Sequence, residues 1–334
     1  LRRYKLVGTT LARVCTSELL EDMEFDAVVV DEASMANVPY MLVMAAKAAQ
    51  HLVVVGDPMQ LPPISQASDP EAREMMEQDI FGLVSDASTT AELFHWHDKN
   101  PDFTSFFDIQ YRMQSDLAGV ISEVFYEGRL LSAEEDGLGE NEEAVDLETG
   151  EIIEIPSEKE APESVKVIDT SGLKPILRKP PNSKGFQPVN DVHVSVLESL
   201  IRAEIIDNRT SLADIGIIVP FRSSVWHLRR ELVRKHRWFD LEVGTIHTFQ
   251  GREKQVIFLD TVMTGEPRGR SFAHYSVRPF DETKNGLSVP RLLNVAFSRS
   301  RGRLLVLADM DHIRRVYGKK FLGKLLQRLP VQSG

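Results

Sequence analysis

The chain has 334 residues, with 39 Lys and Arg against 50 Asp and Glu, which gives a formal net charge of −11. The length indicates two domains, and 42% hydrophobic residues suffice to build their cores, which excludes a wholly disordered protein. A single cysteine, Cys15, excludes an intramolecular disulfide framework and a cysteine-rich zinc site. No apolar run reaches membrane-spanning length and no signal peptide opens the chain, so we expect a protein of the reducing cytoplasm with no membrane partner.

The negative charge is concentrated in one segment. Residues 133–163 contain 13 acidic residues and one basic residue, Lys159, so the rest of the chain is close to neutral and leaves room for basic patches. The segment lacks helical periodicity and contains turn residues. We interpret it as an exposed insertion that serves as a solvated spacer, with a plug that mimics nucleic acid as the alternative.

Short apolar runs alternate with amphipathic stretches, a pattern typical of parallel α/β units. Runs at residues 25–30 and 51–55 predict strands buried on both faces, with a helix over 38–50 between them. The same order returns later in the chain, with helices predicted over 191–207, 225–236 and 290–300 and strands over 215–219, 255–260 and 304–309. The sequence therefore predicts two α/β domains of parallel sheet, residues 1–109 and 110–334, with the acidic insertion in the second.

Polar side chains follow the two early strands, where ligands bind in open α/β sheets. Asp31 and Glu32 follow the first strand; vicinal carboxylates there can hold Mg²⁺ and polarise a water, or only stabilise the start of the next helix. Gly56-Asp-Pro-Met-Gln-Leu-Pro-Pro63 follows the second strand as a stiff loop with Gln60 at its tip. That loop can contact a terminal phosphate or be a simple turn.

The second half of the chain contains three further candidate sites. Tyr111 and Arg112 lie at the predicted domain boundary, where an aromatic face and a permanent cation suit a nucleotide, although such a pair is often plain surface. The segment 244–253 (GTIHTFQGRE) is dense in hydrogen-bonding side chains and contains two glycines. Arg299 shares the predicted face of helix 290–300 with Leu292, so its guanidinium needs either an internal carboxylate or a nucleotide phosphate.

Taken in order, the segments DEAS, GDPMQLPP, QYRM, IGIIVPFR, GTIHTFQGRE and NVAFSRSRGRL resemble the motifs of the Upf-like (Nam/Sen) family of superfamily 1B helicases. The resemblance extends from about residue 7 to about residue 309. It implies two RecA-like domains that bind ATP between them and a single strand of DNA or RNA across them.

The resemblance also implies roles for individual residues. Asp31 would hold Mg²⁺, Glu32 would activate the attacking water, and Gln60 would sense the γ-phosphate. Tyr111 would stack on the adenine, Arg112 and Arg299 would contact phosphate, and Glu253, after Gly251, would hold the ribose. The positions that would contact the nucleic-acid strand are Thr9, Thr10, Pro220, Phe221, Thr245 and His247.

One element of the family is absent from this sequence. The family requires a Gly-rich phosphate loop ending in Gly-Lys-Ser/Thr upstream of the Asp-Glu pair, and no such loop precedes residue 31. The segment 318–324 (GKKFLGK) has the glycine and lysine spacing, but Leu325 follows it and no strand leads into it, so we reject it. We expect the first domain to be N-terminally incomplete, with the missing segment supplied in cis or in trans, and the chain alone to be inactive towards ATP.

Two other classes of function are the alternatives. A non-catalytic nucleic-acid-binding or scaffold module derived from a helicase would not need Glu32, Gln60, Arg112 and Arg299 together. A metal-dependent nuclease would need further convergent carboxylates besides Asp31 and Glu32, and the sequence contains no recognisable pattern of them. The leading prediction is the C-terminal portion of an ATP-dependent helicase or translocase.

Overall fold

The computed structural model describes residues 4–65, 67–133, 143–145, 152–154, 164–178, 188–264, 280 and 288–334. The chain forms two compact units. One comprises Leu1–Ser105 and Glu282–Val295, and the other comprises Phe106–Asp281 and Ala296–Gly334. This division by contacts differs from the predicted domains mainly in residues 282–295, which associate with the first unit.

The first unit consists of short helices around a two-stranded parallel sheet. The strands are β1 (Phe25–Val30) and β2 (Ala48–Val54), and Ala33–Met35 forms a 3-10 turn after β1. The helix predicted over 38–50 ends at Lys47, because Ala48 already pairs with Phe25 at the start of β2. The helices are α1 (Leu11–Thr16), α2 (Glu18–Glu21), α3 (Val38–Lys47), α4 (Pro70–Glu77), α5 (Ile80–Ser85) and α6 (Thr90–Lys99).

The prediction that β1 and β2 are buried on both faces is wrong for the described residues. Val29 is 65% exposed and Val53 is 46% exposed. Val30, by contrast, is buried in the core with Met41 and Met44 of α3. Since alternate residues of a strand point to opposite faces, the described helices cover only one face of this sheet.

A six-stranded parallel sheet forms the centre of the second unit and confirms the predicted α/β class. The strands of this unit are β3 (Ile109–Gln110), β4 (Leu131–Ser132), β5 (Glu143–Val145), β6 (Ile152–Glu154), β7 (Val165–Asp169), β8 (Leu177–Arg178), β9 (Val189–Asn190), β10 (Ile215–Val219), β11 (Glu242–Thr245), β12 (Lys254–Asp260), β13 (Ser300–Ala308) and β14 (Val331–Ser333). The strand order of the large sheet is β11-β10-β12-β13-β7-β14, and every residue of β10 is buried, as predicted for a sheet covered on both faces.

Helices of the second half of the chain flank this sheet or connect its strands, except that most of the helix Ser288–Phe297 belongs to the first unit. Two of them continue into π-helical segments, Arg229–Arg234 and Ile313–Tyr317, and short 3-10 turns occupy Ser171–Leu173, Leu212–Asp214 and Ile246–Phe249. The helices are α7 (Ser115–Phe125), α8 (Asp191–Ile206), α9 (Arg222–Leu228), α10 (Ser288–Phe297), α11 (Met310–His312) and α12 (Phe321–Leu326).

The helix predicted over 290–300 ends early, and this changes the environment of Arg299. Helix α10 ends at Phe297 and β13 begins at Ser300, so Arg299 lies in the turn between them and not on a helical face with Leu292. The carbonyl of Arg299 accepts a hydrogen bond from the Lys254 N–H at 3.0 Å, which begins the pairing of β13 with β12. Pairing with a strand therefore ends the helix.

Most of the acidic segment lies outside the described residues. Its described parts, β5 and β6, form an antiparallel pair. No helix in the described ranges is long and apolar enough to cross a membrane.

Candidate nucleotide and nucleic-acid sites

The ends of β1 and β2 bring the acidic pair of the first unit against the proline-rich loop. The Ala33 N–H donates to the Val55 carbonyl at 2.9 Å. A Cβ at Gly56 would lie 2.9 Å from the Ala33 nitrogen and 3.0 Å from the Ser34 nitrogen, so only glycine fits this approach without displacement. Asp31 and Glu32 therefore lie directly beside the start of the loop.

Glu32 has an unusual backbone conformation. Its φ of 52° and ψ of 38° are left-handed, which costs a residue with a Cβ about 1–2 kcal/mol. Its N–H donates to Asp31 Oδ1 at 2.9 Å, and both residues are exposed. Only a 3-10 turn, Ala33–Met35, follows, which weakens the alternative that these acids merely stabilise a helix start. Six other described residues that are not glycine also have a positive φ, among them Asp86 and Val262, so the conformation of Glu32 matters here because of its position at the end of β1.

Asp57 organises the loop that contains Gln60. One carboxylate oxygen, Oδ1, accepts the Met59 N–H at 2.8 Å, and the other, Oδ2, accepts Gln60 Nε2 at 2.8 Å. The half-buried Gln60 side chain is thereby oriented. The sequence prediction missed Asp57, although an aspartate that bonds the backbone two residues on is a recognisable turn signal.

Asp31 fits only a magnesium site in which substrate phosphates supply some of the ligands. Mg²⁺ is usually held by one or two carboxylates together with water and substrate phosphates, so a full cage of protein ligands is not required. Within the described ranges no group of three or more His, Cys, Asp or Glu side chains could hold a metal. The exposed carboxylate of Asp31 agrees with the phosphate-assisted kind of site.

In the second unit, Arg112 and Glu253 form an ion pair across 141 residues of chain. Arg112 Nε lies 2.8 Å from Glu253 Oε2, and Arg301 Nη1 lies 3.6 Å from the other carboxylate oxygen. Gln110, which the sequence prediction did not single out, accepts the Arg112 N–H at 2.8 Å and so orients the chain there. A carboxylate and two guanidinium groups thus form one charged cluster.

The remaining predicted nucleotide contacts differ in exposure. Tyr111 is 83% exposed, which leaves its ring accessible for stacking. Gly251 has a φ of +71°, a left-handed conformation that glycine adopts without strain. Arg299 is only 3% exposed, and its Nη2 donates to Ser298 Oγ at 2.9 Å.

Two groups of residues that are predicted to contact the nucleic-acid strand lie at the ends of neighbouring β-strands. Val219 of β10 pairs with Thr245 of β11, so Pro220 and Phe221 emerge beside Thr245. His247 follows in the 3-10 turn; it is exposed overall, but desolvation of its ring lowers its pKa and favours the neutral imidazole. Pro220, Phe221, Thr245 and His247 therefore all lie near the same end of the sheet.

The predicted contacts Thr9 and Thr10 belong to the first unit. Both are exposed. Thr10 also caps α1, where its Oγ1 accepts the Arg13 N–H at 3.3 Å, so this residue has a structural role as well.

The second half of the rejected phosphate-loop candidate is helical. Gly323 and Lys324 lie inside α12, and a Cβ at Gly323 would overlap the Tyr317 carbonyl. This glycine therefore permits close packing of the chain, and the segment does not form a phosphate-binding loop.

Comparisons with known proteins identify the family. One model described as an AAA domain matches residues 89–311, and a second of the same description matches residues 1–68. The chain is 26% identical to an uncharacterised ATP-dependent helicase of Methanocaldococcus jannaschii, over 90% of the chain and 38% of that protein. It is 29% identical to the DNA polymerase alpha-associated DNA helicase A of Saccharomyces cerevisiae, over 89% of the chain and 40% of that protein.

The similarity extends to the namesake of the predicted family. The chain is 24% identical to the ATP-dependent helicase NAM7 of Saccharomyces cerevisiae, over 88% of the chain and 26% of that protein. It therefore spans less than half the length of each of these relatives. Because the first family model matches more than half of the chain, and these relatives agree with the motifs, the chain belongs to the AAA domain family and, within it, to the Upf-like superfamily 1 helicases.

Proposed function

We propose that the chain is the C-terminal portion of an ATP-dependent helicase or translocase that couples ATP hydrolysis to movement along a single strand of DNA or RNA. The observation that supports this most is the left-handed Glu32 held beside Gly56 at the strand ends. Its place supports the proposal: Glu32 lies next to Asp31 and directly before the close approach of Gly56 to Ala33 and Ser34. The helicase names of the relatives agree with the proposal.

Asp31, Glu32 and Gln60 would each have a separate role in cleavage of the terminal phosphate. Asp31 would hold Mg²⁺, which would supply positive charge to neutralise the phosphates. Glu32 would orient the attacking water and accept its proton, while Gln60, held by Asp57, would contact the γ-phosphate. Because phosphoryl transfer depends mainly on positioning and electrostatics, a small displacement of these groups lowers the rate.

The second unit supplies positive charge and base contacts. Arg112 and Arg299 would contact phosphate oxygens, for which a guanidinium fork is well shaped. Glu253, now paired with Arg112, would accept hydrogen bonds from the ribose, and Gly251 would permit close approach. The exposed Tyr111 would stack on the adenine.

The residues proposed to contact the nucleic-acid strand are suited to binding its phosphate backbone and stacking on its bases. We therefore expect little preference for particular base sequences. These residues combine hydroxyl, imidazole and aromatic groups. The residues are Thr9, Thr10, Pro220, Phe221, Thr245 and His247.

Turnover also needs a phosphate-cradling loop, which the sequence before residue 31 does not contain. The backbone and lysine of that loop position the β- and γ-phosphates in this class of reaction. We therefore propose that a further segment, in cis or in trans, supplies the loop, and that the chain by itself hydrolyses little or no ATP.

The test measures ATP hydrolysis, with and without oligo(dT), by this chain and by this chain combined with the upstream segment of its gene. The combined protein should hydrolyse ATP and respond to the oligonucleotide, and Glu32→Gln should lower kcat on the order of 100-fold. Glu18→Gln, an exposed glutamate on α2, should leave kcat unchanged. Persistent inactivity of the combined protein, with oligo(dT) still bound, would instead favour a scaffold module derived from a helicase.

A further inference from the structure

The helix after β10 is strongly basic in an acidic protein. Residues 222–239 contain six Arg and Lys against one acidic residue, Glu231, whereas the whole chain has a net charge of −11. Exposed aromatic rings lie within the same segment, with Trp226 65% exposed and Phe239 71% exposed. None of the nucleotide or strand contacts described above lies in this segment.

Four residues of this segment form one solvent face, which we call the Arg-Trp face: Arg222, Trp226, Arg230 and Arg234. They recur every fourth position and are exposed, while Val225, Leu228 and Leu232 between them are buried. In a regular α-helix such a series drifts by about 40° at each step. The π-helical segment Arg229–Arg234 has wider turns, which counteract this drift.

The charges of this face are available to a ligand. No carboxylate lies within 4.0 Å of Arg222 or Arg234 in the described part of the chain. Arg230 contacts Glu231 at 2.7 Å, but its side chain is 57% exposed and such a surface pair exchanges readily. The exposed indole of Trp226 lies between Arg222 and Arg230, where it can stack on a base.

We propose that the Arg-Trp face is an additional contact surface for single-stranded nucleic acid, continuous with Phe221 at the end of β10. Four helical residues span about 6 Å, close to the separation of adjacent phosphates in an extended strand. Cations on both sides of one aromatic ring at this spacing can therefore contact successive phosphates while the ring stacks on a base. An acidic protein segment would match the cations but would leave the exposed indole unexplained. The inference rests on the proposed function, because it extends the path of the same strand.

The test measures binding of fluorescein-labelled dT30 to the whole chain by fluorescence anisotropy at several salt concentrations. Arg230→Gln/Arg234→Gln should weaken binding about tenfold and reduce the salt slope by roughly 1.4, since each phosphate contact on a single strand contributes about 0.7. Trp226→Ala should weaken binding about tenfold through lost stacking. The matched control, Arg314→Gln/Arg315→Gln, removes two exposed arginines from the other π-helical segment and should have no such effect.

The melting temperature of each variant establishes that it is folded, and a second readout does not depend on affinity. Binding of dT30 should quench tryptophan fluorescence, and Trp226→Phe should remove that quenching while retaining most of the affinity. Unchanged dT30 affinity and salt slope in the folded variants would overturn the inference. The inference would also be overturned if these variants bound a polyglutamate peptide more weakly than the unaltered chain does but bound dT30 equally well. If the unaltered chain binds neither dT30 nor the corresponding RNA, rU30, the proposed function itself is wrong, which distinguishes the two failures.

Discussion

Arg291 and Asp79, 212 residues apart in the sequence, form a buried ion pair in which Arg291 Nη1 lies 3.0 Å from Asp79 Oδ2. Their side chains are only 10% and 3% exposed. The other oxygen of Asp79 accepts the Gly82 N–H at 2.8 Å and so caps α5. One carboxylate thereby joins α5 to residues of α10 that belong to the first unit.

Breaking this pair should destabilise the first unit. Arg291→Met leaves the charge of Asp79 buried without its cation, which we expect to cost about 3–5 kcal/mol of the free energy of unfolding. Urea unfolding followed by Trp96 fluorescence, in a chain with Trp226→Phe and Trp238→Phe, measures this unit. Arg73→Met removes the exposed Arg73–Glu77 pair of α4 and should cost less than about 1 kcal/mol. Equal losses in the two variants would contradict the prediction.

A methyl group at Gly56 should disturb the candidate phosphate site. Gly56→Ala places a Cβ within 3.0 Å of backbone nitrogens after Glu32, so the loop must move, at a cost of about 1–3 kcal/mol. In the protein supplied with its phosphate loop, we expect kcat to fall. Gly82→Ala is the control, because its nearest neighbour would be an ordinary 3.6 Å away. A fall in kcat for both variants would remove the specific role assigned to the loop.

Arg112 should matter far more for activity than for stability. The Arg112 and Glu253 side chains are 42% and 41% exposed, so their ion pair contributes roughly 0–1 kcal/mol to folding. Arg112→Gln should therefore leave the melting temperature nearly unchanged while lowering kcat of the combined protein on the order of 100-fold. Arg328→Gln, which breaks the exposed Arg328–Glu123 pair, should change neither quantity. Wild-type turnover in Arg112→Gln would exclude the phosphate contact.

The stability of the second unit should fall as the pH falls below the pKa of a histidine in the unfolded chain, about 6.5. His312 is 2% exposed, and neither ring nitrogen has a hydrogen bond within the described residues. Burial lowers its pKa, against a weaker opposing effect of Asp309. Below pH 6.5 the unfolded state therefore binds a proton that the folded state resists, and stability is lost.

Thermal melts between pH 8 and pH 5 test this prediction. His312→Phe removes the titrating group and should flatten the dependence of melting temperature on pH in the acid range. His51→Gln changes an exposed histidine and should leave that dependence as it is in the unaltered chain. An unchanged slope in His312→Phe would show that other groups cause the acid sensitivity.

Local patterns were sufficient for most elements. The apolar runs before Asp31 and Pro220 form strands, and the helix predicted over 191–207 occupies Asp191–Ile206. These predictions succeeded because periodicity and residue type depend on neighbours in sequence. The ends of helices were less predictable: α3 and α10 both stop where a strand begins, and strand pairing depends on distant residues.

Residue patterns along the chain were enough to predict the α/β class and to single out Glu32, Gln60 and Arg112 as candidate residues, and the order of the motifs was enough to indicate the family. The tertiary structure alone decided which side chains meet. It pairs Arg112 with Glu253 and Arg291 with Asp79, and it places Glu32 in a left-handed conformation beside Gly56. Burial and pairing depend on contacts between segments far apart in the chain, and such contacts leave no periodic signal in the sequence.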